Sequence, residues 1–569
     1  NTINSSTSVA VTASAVTGIT SSNISDINTL LTSAAATDPR EFAAGSFNNL
    51  ATVAVADSTV SLTDLNSAVT GANAVAGGAT TVFSLANNAL INGGSENDFA
   101  NLMLIEGTGL TDNVNLTNQR LTIDSGTIGT ISNANNFTSS TTGTVTGTIT
   151  SGTRVADLTD LTNGAANAAY TITLDALDSG VATAANLNRI NGGTTEDVNL
   201  TNITALAASN LSDISTLISD IDDFSNAGGI ATITLTNDGG GGAGHVDFGT
   251  LETIINNSPT PFASNITYKF QAGDLIDIDT SSELSAFISD INNGFITLVD
   301  QDVTVVNTVD LTSDQAKAIA ADTTGTVTAT IASTERVSKL TQLRQPNSGV
   351  DETNDFTITI SGDDNATVTA AELNTINDAT SVAIDLTNVT SIGASNIADL
   401  STMNTGIAGF SNAGGIVAID ITDGGDGSGD VDFGALDLVI DAYYARNNNV
   451  AFTLQSADTL LIDSSGEVTD LLTHIGANNN LQLSNQHITI SSGVGLSAAN
   501  AKTIAADTTG TVTATIATSA RVADLTQLLQ PDGATNEENA FTITLSSDDD
   551  NVVTAANLNT INAATSQAI

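Results

Sequence analysis

The amino-acid sequence predicts a mainly β fold with short helices, built as a repetitive β/α solenoid with parallel strands. Three observations predict it. A long unit recurs three times along the chain, and a shorter phrase of extended run, polar turn and short helix recurs within it. The apolar residues are nearly all aliphatic, since aromatics make up only 4% of the chain. Such self-similar phrases are typical of solenoids, in which each phrase buries its apolar stripe on its neighbours. The alternative is three tandem β-rich globular domains, each as long as the unit.

Two sequence phrases define the long repeat. NTIN at residue 1 returns as NRIN at 188 and as NTIN at 374 and 559, so the copies follow one another at nearly equal intervals. TTGTV starts at Thr141, Thr323 and Thr508. The sequence therefore divides into a divergent repeat 1 at 1–187, repeat 2 at 188–373, repeat 3 at 374–558 and the start of a further repeat at 559–569. Because the ends match and there is neither an initiator Met nor a signal peptide, we expect a fragment of a longer repetitive chain.

An extended run opens each shorter phrase. Between Gly143 and Thr324 these runs begin near Gly143, Tyr170, Glu196, Gly229, Ile266 and Gly294. Alternation of apolar residues with Thr predicts strands, because Thr covers the exposed side of a pleat. The clearest examples are TVTGTIT (144–150), YTITL (170–174), IATITL (230–235) and FTITI (356–360). Several phrases could hold two strands rather than one.

Capping signals predict a short helix later in each phrase. Thr369 precedes Glu372 by three positions, which is the spacing of a capping box, and Leu373 and Ile376 then share one face. Helices of two or three turns are marginal alone in water, so we expect them to pack on a sheet. The same signals occur in NISDINTLL (23–31), NLSDISTLI (210–218), TSDQAKAIA (312–320) and NIADLSTM (396–403).

Composition excludes several classes of function. The net charge of −50, from 62 acidic and 12 basic residues, excludes a nucleic-acid binder that neutralises phosphates. It also argues against docking on anionic lipid, which needs basic clusters. No apolar run approaches the roughly 18 residues of a membrane span, so direct membrane insertion is not expected. The absence of Cys removes disulfides from consideration.

The Gly- and Asp-rich stretch DGGDGSGDVDFG (423–434) is the strongest candidate for a metal site. Gly permits sharp turns and Asp supplies hard oxygen ligands, a combination that suits Ca²⁺. The counterpart DGGGGAGHVDFG (238–249) has Gly241 and His245 in place of two of the acids. Both Ca²⁺ binding and an acidic hairpin without an ion stay open for 423–434, whereas the hairpin is favoured for 238–249. The candidate ligands are Asp423, Asp426, Asp430 and Asp432, with Asp238 and Asp247 in the counterpart.

A second candidate calcium site lies in SGDDNATVTAAEL (361–373). Asp363, Asp364 and Glu372 are its candidate ligands. The stretch lacks the central Gly and the length of an EF-hand loop. Helix capping and solvated turns explain the same residues without an ion.

Catalytic signatures are absent from the sequence. None of His245, His474 and His487 stands in a metal-ligand spacing or near a G-x-S-x-G motif, and there is no Cys nucleophile. There is also no phosphate-binding GxxxxGK motif. We therefore predict that the protein is not an enzyme, and that each His is a polar loop or strand residue.

Four Phe residues recur at matching positions. Phe224 and Phe410 lie in FSNAGGI stretches, and Phe248 and Phe433 lie in DFG triplets. Regular placement predicts that these side chains anchor the core.

The repeats resemble those of a known group of proteins. VTAAELNTINDATSVAIDLTNVTSI (368–392) and TTGTVTATIATSARVADLTQL (508–528) resemble repeats of giant cell-surface proteins of cyanobacteria and other marine bacteria. That group includes swimming-associated surface proteins and large adhesins, and lies near the haemolysin-type calcium-binding proteins. The resemblance implies an extracellular structural role stabilised by calcium.

These observations lead to a structural hypothesis. The chain is expected to be a repeat segment of a secreted bacterial surface protein that forms a surface layer, fibre or stalk and is stabilised by Ca²⁺. Self-association into a lattice or filament is expected, with a cell-surface polysaccharide as a second expected partner. The alternative is the stalk of an adhesin or phage-type fibre that presents a binding tip.

Overall fold

Short helices outweigh strands in this chain. The computed structural model describes residues 6, 9–36, 41–76, 80–106, 113–124, 126–236, 244–258, 266–343, 354–422, 429–456, 458–477, 479–528, 539–549 and 553–569. Helices account for 37% of residues and strands for 23%, and the strands within the described ranges form no closed barrel. The prediction of parallel strands with short helices is confirmed. The prediction that the chain is mainly β is wrong, because more residues lie in helices than in strands. The reason is length: within the described ranges the longest helix, Leu62–Val75, has 14 residues, whereas the longest strand, Ala168–Thr173, has 6 residues.

The strands are short and mostly carry the alternation that predicted them, with every second side chain buried. In chain order they are β1 (Gly18–Ser22), β2 (Thr52–Val55), β3 (Thr59–Ser61), β4 (Val82–Ser84), β5 (Leu90–Asn92), β6 (Val114–Asn115), β7 (Arg120–Thr122), β8 (Val145–Thr148), β9 (Ala168–Thr173), β10 (Val198–Asn199), β11 (Ala205–Ser209), β12 (Phe224–Ser225), β13 (Thr232–Leu235), β14 (His245–Asp247), β15 (Thr267–Lys269), β16 (Leu275–Ile278), β17 (Ile296–Thr297), β18 (Asp302–Val305), β19 (Asp310–Leu311), β20 (Val327–Ile331), β21 (Asp355–Thr357), β22 (Ile384–Asp385), β23 (Ser391–Ser395), β24 (Phe410–Ser411), β25 (Ala418–Ile421), β26 (Asp430–Asp432), β27 (Ala451–Leu454), β28 (Thr459–Ile462), β29 (Leu481–Gln482), β30 (His487–Ile490), β31 (Gly495–Leu496), β32 (Val512–Ile516) and β33 (Ala540–Thr542).

The helices alternate with these strands, and many begin at a polar cap. In chain order they are α1 (Ile24–Ala35), α2 (Leu62–Val75), α3 (Glu96–Glu106), α4 (Ile131–Ser140), α5 (Val155–Leu158), α6 (Ala184–Asn191), α7 (Leu211–Ser219), α8 (Phe248–Asn257), α9 (Ser281–Asn293), α10 (Ser313–Asp322), α11 (Val337–Leu340), α12 (Ala370–Asn377), α13 (Ile397–Thr405), α14 (Phe433–Tyr444), α15 (Ser465–Leu472), α16 (Ala498–Asp507), α17 (Val522–Leu525) and α18 (Ala555–Ala563).

The chain forms two compact units. Unit 1 comprises Asn1–Asp274 and Ser289–Leu298, and unit 2 comprises Leu275–Ile288 and Val299–Ile569. The starts of the second and third sequence repeats, residues 188 and 374, lie inside helices α6 and α12. The boundaries of the sequence repeats therefore do not coincide with the boundaries of the two compact units.

Every strand pairing within unit 1 for which the register is defined is parallel. One sheet has the order β1-β2-β4-β6, a second has the order β12-β10-β9-β8-β7-β5-β3, and a third has the order β11-β13-β15-β17. In unit 2, β16, β18, β20 and β19 follow one another, with β21 also pairing with β20. A further sheet has the order β23-β25-β27-β29, and another has the order β26-β28-β30-β32-β31, with β33 on β32. β22 pairs with β24 alone.

Most phrases contribute two strands and one helix. β2 pairs in parallel with β4 of the next phrase, and β3 pairs in parallel with β5. The two strands of one phrase therefore enter two different sheets, and α2 follows β3 directly. Successive helices such as α1 and α2, or α12 and α13, contact one another along the same side. The expectation that phrases could hold two strands is confirmed.

The core consists of ladders of aliphatic side chains that repeat from strand to strand. In unit 1 the register places Val60 beside Ile91 and Ile91 beside Leu121, and all three are fully buried. In unit 2 it places Val431 beside Leu460 and Leu460 beside Ile488, again fully buried. Each phrase thus removes its apolar stripe from water by lying against the next phrase. The four Phe residues predicted as core anchors, Phe224, Phe248, Phe410 and Phe433, are all buried.

Candidate functional site

One acidic residue from each of the two Gly- and Asp-rich stretches caps a helix. Asp432 accepts hydrogen bonds from the N–H groups of Gly434 (2.8 Å) and Ala435 (3.4 Å) at the start of α14. Asp247 accepts the Gly249 N–H (2.9 Å) at the start of α8. These are N-cap contacts, which satisfy free backbone donors at a helix start. Asp430 lies in β26, whereas Asp238, Asp423 and Asp426 lie outside the described residues. Calcium binding at these stretches stays a prediction.

Asp364 of the second candidate site forms an ion pair and also binds backbone. Its carboxylate lies 3.0 Å from Nε of Arg336 and accepts the N–H of Val337 (3.0 Å) at the start of α11. The Asp364 side chain is only 8% exposed, whereas Asp363, 3.1 Å from Nη1 of the same Arg, is 81% exposed. The structure therefore joins Asp363 and Asp364 through Arg336.

Glu372 belongs to a different hydrogen-bond system. Its Oε2 accepts the Thr369 N–H (2.9 Å) and hydroxyl (3.0 Å), and the Thr369 hydroxyl oxygen accepts the Glu372 N–H (3.2 Å). This is the capping box that the spacing predicted. Glu372 thus stabilises the start of α12, and Asp364 stabilises the start of α11.

The contact around Asp364 recurs in all three sequence repeats. In each copy a buried Asp carboxylate pairs with an Arg and accepts the N–H of the Val that follows that Arg, so that it caps the one-turn helix of the preceding phrase. The copies are Arg154–Asp178 (2.7 Å) with Val155, Arg336–Asp364 (3.0 Å) with Val337, and Arg521–Asp549 (3.6 Å) with Val522.

The TTG motif forms a second recurring contact between phrases. The Thr323 hydroxyl donates to the carbonyl oxygen of Gln301 (2.6 Å) and accepts the Gly325 N–H (2.9 Å). Gln301 is buried, so this hydroxyl satisfies a backbone group that water does not reach. The equivalent bonds join Thr141 to Gln119 and Gly143, and Thr508 to Gln486 and Gly510.

A cluster of two carboxylates and one imidazole lies on neighbouring helical elements of unit 2. Asp437 and Asp441 are one turn apart on α14, and His474 lies in a single π-helical turn, Thr473–Ala477, that directly follows α15. Nε2 of His474 lies 2.8 Å from Oδ1 of Asp437 and 3.9 Å from Oδ1 of Asp441. The three ligand atoms all lie within 4.8 Å of one another, so this group could hold a metal ion. Such π turns frequently occur at functional sites.

Burial differs sharply across this cluster. His474 is 3% exposed, Asp437 is 18% exposed and Asp441 is 69% exposed. Nδ1 of His474 lies 3.0 Å from Oδ1 of the buried Asn480, and the ring packs near Phe433. Burial raises the pKa of Asp437 and the nearby Asp441 and Asp470 carboxylates add to this rise, which the hydrogen bond with His474 opposes.

The equivalent position in unit 1 carries two acids and no imidazole. One repeat earlier, Glu252 stands where Asp437 stands and Asp290 stands where His474 stands. Burial raises the pKa of Asp290 to about 6, and the negative charge of Glu252 adds to the rise. Both copies therefore place titratable side chains at the same position in the fold, but one copy has two carboxylates there and the other has carboxylates with an imidazole.

Sequence reasoning missed this cluster. His474 was predicted to be a polar loop or strand residue, because it lies a whole phrase away from the two Asp residues, which is not a recognised ligand spacing. Alignment of the repeats could have revealed it, because a titratable residue stands at both equivalent positions in each copy: Asp437 and His474 in one, Glu252 and Asp290 in the other. His245 and His487 do lie in strands, β14 and β30.

Comparison with protein-family models and with curated protein sequences finds no match for this chain. Among the helices of the described residues, none combines the length and apolarity needed to cross a membrane.

Proposed function

We propose that this chain is a structural repeat segment of a secreted bacterial surface protein, in which repeats build a surface layer, fibre or stalk. The observation that carries the proposal is the recurrence of the same buried contacts between neighbouring phrases in all three repeats. The Arg–Asp–Val contact and the Thr–Gln–Gly contact both keep their partners from one repeat to the next. A scaffold requires such contacts, because each phrase becomes stable only against its neighbours.

In this proposal each unit is a segment of a β/α solenoid. The parallel pairings support it, since they set equivalent positions of successive phrases side by side, as with Thr52 and Val82 or Thr59 and Leu90. The contacts between successive helices support it as well. A solenoid presents length and a repeating surface, which suits a structural role.

Calcium is proposed as the partner that makes assembly favourable. A net charge of −50 makes copies of the chain repel one another. Divalent cations bridge carboxylates and screen this repulsion, and extracellular modules bind Ca²⁺ with dissociation constants of about 10⁻⁴–10⁻³ M. The proposed location is therefore the cell surface, where the chain associates with copies of itself and with cell-surface polysaccharide.

The test is assembly of the purified chain after dialysis against EDTA. Samples receive CaCl₂, MgCl₂ or NaCl at equal ionic strength and are followed by light scattering and electron microscopy. We expect regular sheets or filaments with CaCl₂ and dispersed molecules with NaCl. Dispersed molecules at every calcium concentration would remove self-assembly from the proposal.

Matched variants test whether the 423–434 stretch supplies calcium ligands. Asp430→Asn with Asp432→Asn lowers the charge of the stretch, and Asn at 432 keeps a residue that caps helices well. We expect assembly of this variant to need more CaCl₂ than the wild type. Asp157→Asn with Asp524→Asn, which also removes two acidic charges from exposed positions outside the candidate calcium sites, serves as the control and keeps the wild-type calcium requirement.

A further inference from the structure

The cluster of Asp437, Asp441 and His474 combines ligand types that the proposed calcium sites lack. We propose that these three residues bind one divalent transition-metal ion of the zinc class, separate from any calcium that supports assembly. The ion would link α14 to the π turn after α15, and so join two successive phrases of unit 2.

The separations of the donor atoms fit a small ion. Zinc bonds to His nitrogen and carboxylate oxygen are about 2.0–2.2 Å long, so two ligands of a tetrahedral site lie roughly 3.4 Å apart. The distances from Nε2 of His474 to the oxygens of Asp437 and Asp441, 2.8 Å and 3.9 Å, lie on either side of that value. The two Asp residues lie one turn apart on the same helix, and their ligand oxygens lie within 4.8 Å of each other.

The far side of the imidazole offers a partner for its second nitrogen. Nδ1 of His474 lies 3.0 Å from Oδ1 of Asn480, so a ring that holds a metal ion through Nε2 would carry its proton on Nδ1 and donate it to that oxygen. In that tautomer Nε2 presents its lone pair to the ion, on the side where Oδ1 of Asp437 lies 2.8 Å away. A hydrogen bond to the outer nitrogen is the usual arrangement around a metal-binding His.

The ligand set selects the class of metal. Imidazole with two carboxylates suits Zn²⁺ and its neighbours, whereas Ca²⁺ takes six to eight oxygens. The two carboxylate charges balance a divalent ion. Asp441 is 69% exposed, so water can complete the coordination at the open side. His474 is buried, so it provides the rigid ligand of the site.

Unit 1 provides an internal contrast. Its equivalent residues are Glu252 and Asp290, and Asn256 stands where Asp441 stands. Because this position lacks the imidazole and has Asn256 in place of a carboxylate, it does not offer a zinc-class site. The proposal therefore predicts one such ion for the described residues of the chain rather than one per repeat.

The test is calorimetric titration of the full-length chain, without a histidine tag, with ZnCl₂ in the presence of excess CaCl₂. We expect one zinc per chain. Asp441→Asn, at an exposed position that tolerates substitution, should weaken binding at least tenfold, and His474→Gln should abolish it. Asn480→Leu, which keeps the bulk but removes the acceptor, should weaken binding about 10–100-fold, as loss of an outer hydrogen bond usually does. His487→Gln is the control and should bind zinc like the wild type.

Three further readouts separate ligation from a merely structural His. Zinc should raise the melting temperature of the wild type and leave that of Asp441→Asn unchanged, and Co²⁺ should give the visible absorption of a low-coordinate site. Nitrogen NMR of His474 should show the proton on Nδ1 when zinc is present. Zinc binding of equal strength in the wild type and both ligand variants, or a proton that stays on Nε2 with zinc present, would overturn the proposal. Because CaCl₂ is present throughout, neither result bears on calcium-dependent assembly.

Discussion

Asp364 is buried because both of its carboxylate oxygens have partners. One oxygen faces Arg336 and the other accepts the Val337 N–H. These two contacts compensate for the loss of hydration when the carboxylate is buried. Its neighbour Asp363 contacts the same Arg from an exposed position. Two adjacent Asp residues thus have different structural roles, which residue type alone does not distinguish.

Asp364→Ala should destabilise unit 2, whereas Asp363→Ala should not. Removal of Asp364 leaves a buried backbone N–H and one end of the ion pair without an acceptor, which costs about 1–3 kcal/mol. An exposed ion pair such as that of Asp363 contributes little, because water screens it. Urea unfolding of the two variants measures the difference. Equal midpoints for both would contradict the role assigned to the buried carboxylate, and Asp178→Ala and Asp549→Ala should repeat the result.

Asp290 is expected to reduce stability at neutral pH. Its pKa is raised to about 6 by burial and by Glu252, from an ordinary value of 3.8. Between these two values the folded chain holds a proton that the unfolded chain has released. The contribution of Asp290 therefore falls as pH rises from about 3.8 to about 6 and stays low above that range.

Asp290→Asn should raise the melting temperature above pH 6 and leave it unchanged near pH 4. Because Asp290 is only partly buried, we expect a modest gain of about 1–3 °C at pH 7. Glu252→Gln removes one cause of the raised pKa and should give a smaller gain that appears over the same pH range. Thermal melting of the three proteins between pH 4 and 8 measures this, and a gain that is equal at both ends of the range would contradict it.

At the level of elements, the caps were the most predictable feature. The capping boxes of Thr369 with Glu372 and of Thr312 with Gln315 form as the spacing required. Asn210 also caps α7 through the Asp213 N–H (2.7 Å). Asn23, in the same pattern, makes no side-chain cap bond, and Asp57 instead accepts the Ile24 N–H from the neighbouring phrase (2.5 Å). Residue spacing within a phrase predicts where helices start, but it does not predict capping side chains that come from a neighbouring phrase.

Strands were predictable as extended runs but not in their pairing or full number. The runs near Gly143, Tyr170 and Ile266 all became strands, β8, β9 and β15. FTITI (356–360) forms a strand only as far as Thr357. The shortest strands, such as β10 and β12, have two residues each, which is too few for an alternating pattern to be recognised. The cluster of His474 depends on packing between phrases, so the spacing of its ligands along the chain does not reveal it.

The TTG motif requires Gly at its third position because of a close approach between phrases. At Gly325 a Cβ atom would overlap the carbonyl group of Gln301, and the same overlap occurs at Gly143 with Gln119 and at Gly510 with Gln486. This crowding involves backbone, which has little room to move. A strand that lies so close to its neighbour excludes every side chain at that point.

Gly325→Ala should lower the stability of unit 2 by about 1–3 kcal/mol, the usual cost of forcing an extra methyl group into a packed site. Gly493→Ala is the matched control, because a Cβ there meets no atom within 4 Å. Urea unfolding should show a lower midpoint for the first variant and an unchanged midpoint for the second. A wild-type midpoint for Gly325→Ala would mean that the phrases do not approach each other as described.

For the whole molecule, the sequence period predicted recurring contacts but not compact units. A periodic sequence defines the length of its repeat and leaves the starting point arbitrary, which is why residues 188 and 374 fall inside helices. The structural step is the shorter phrase, since strands pair with those of the next phrase, as Thr146 does with Ala169 and Thr232 with Thr267. Such local pairing lets any number of phrases be added without a new fold.

The most direct test of stacking in register uses cysteine pairs at one position in all three repeats. The structure places Thr148 beside Thr171, Thr330 beside Thr357 and Thr515 beside Thr542 on neighbouring parallel strands. Neighbouring strands lie about 4.8 Å apart, within the range that a disulfide spans, whereas a shift of two positions increases the separation to roughly 8 Å. The natural chain has no Cys, so each engineered pair is the only one present.

We predict rapid and complete disulfide formation under mild oxidation for the pairs Thr148→Cys with Thr171→Cys, Thr330→Cys with Thr357→Cys, and Thr515→Cys with Thr542→Cys. Pairs displaced by two positions, which use Thr146, Thr328 or Thr513 as the first partner, should form disulfides slowly or not at all. Mass spectrometry after digestion measures both. Equal disulfide formation by matched and displaced pairs, or success in only one repeat, would contradict the claim that every repeat stacks its phrases in the same parallel register.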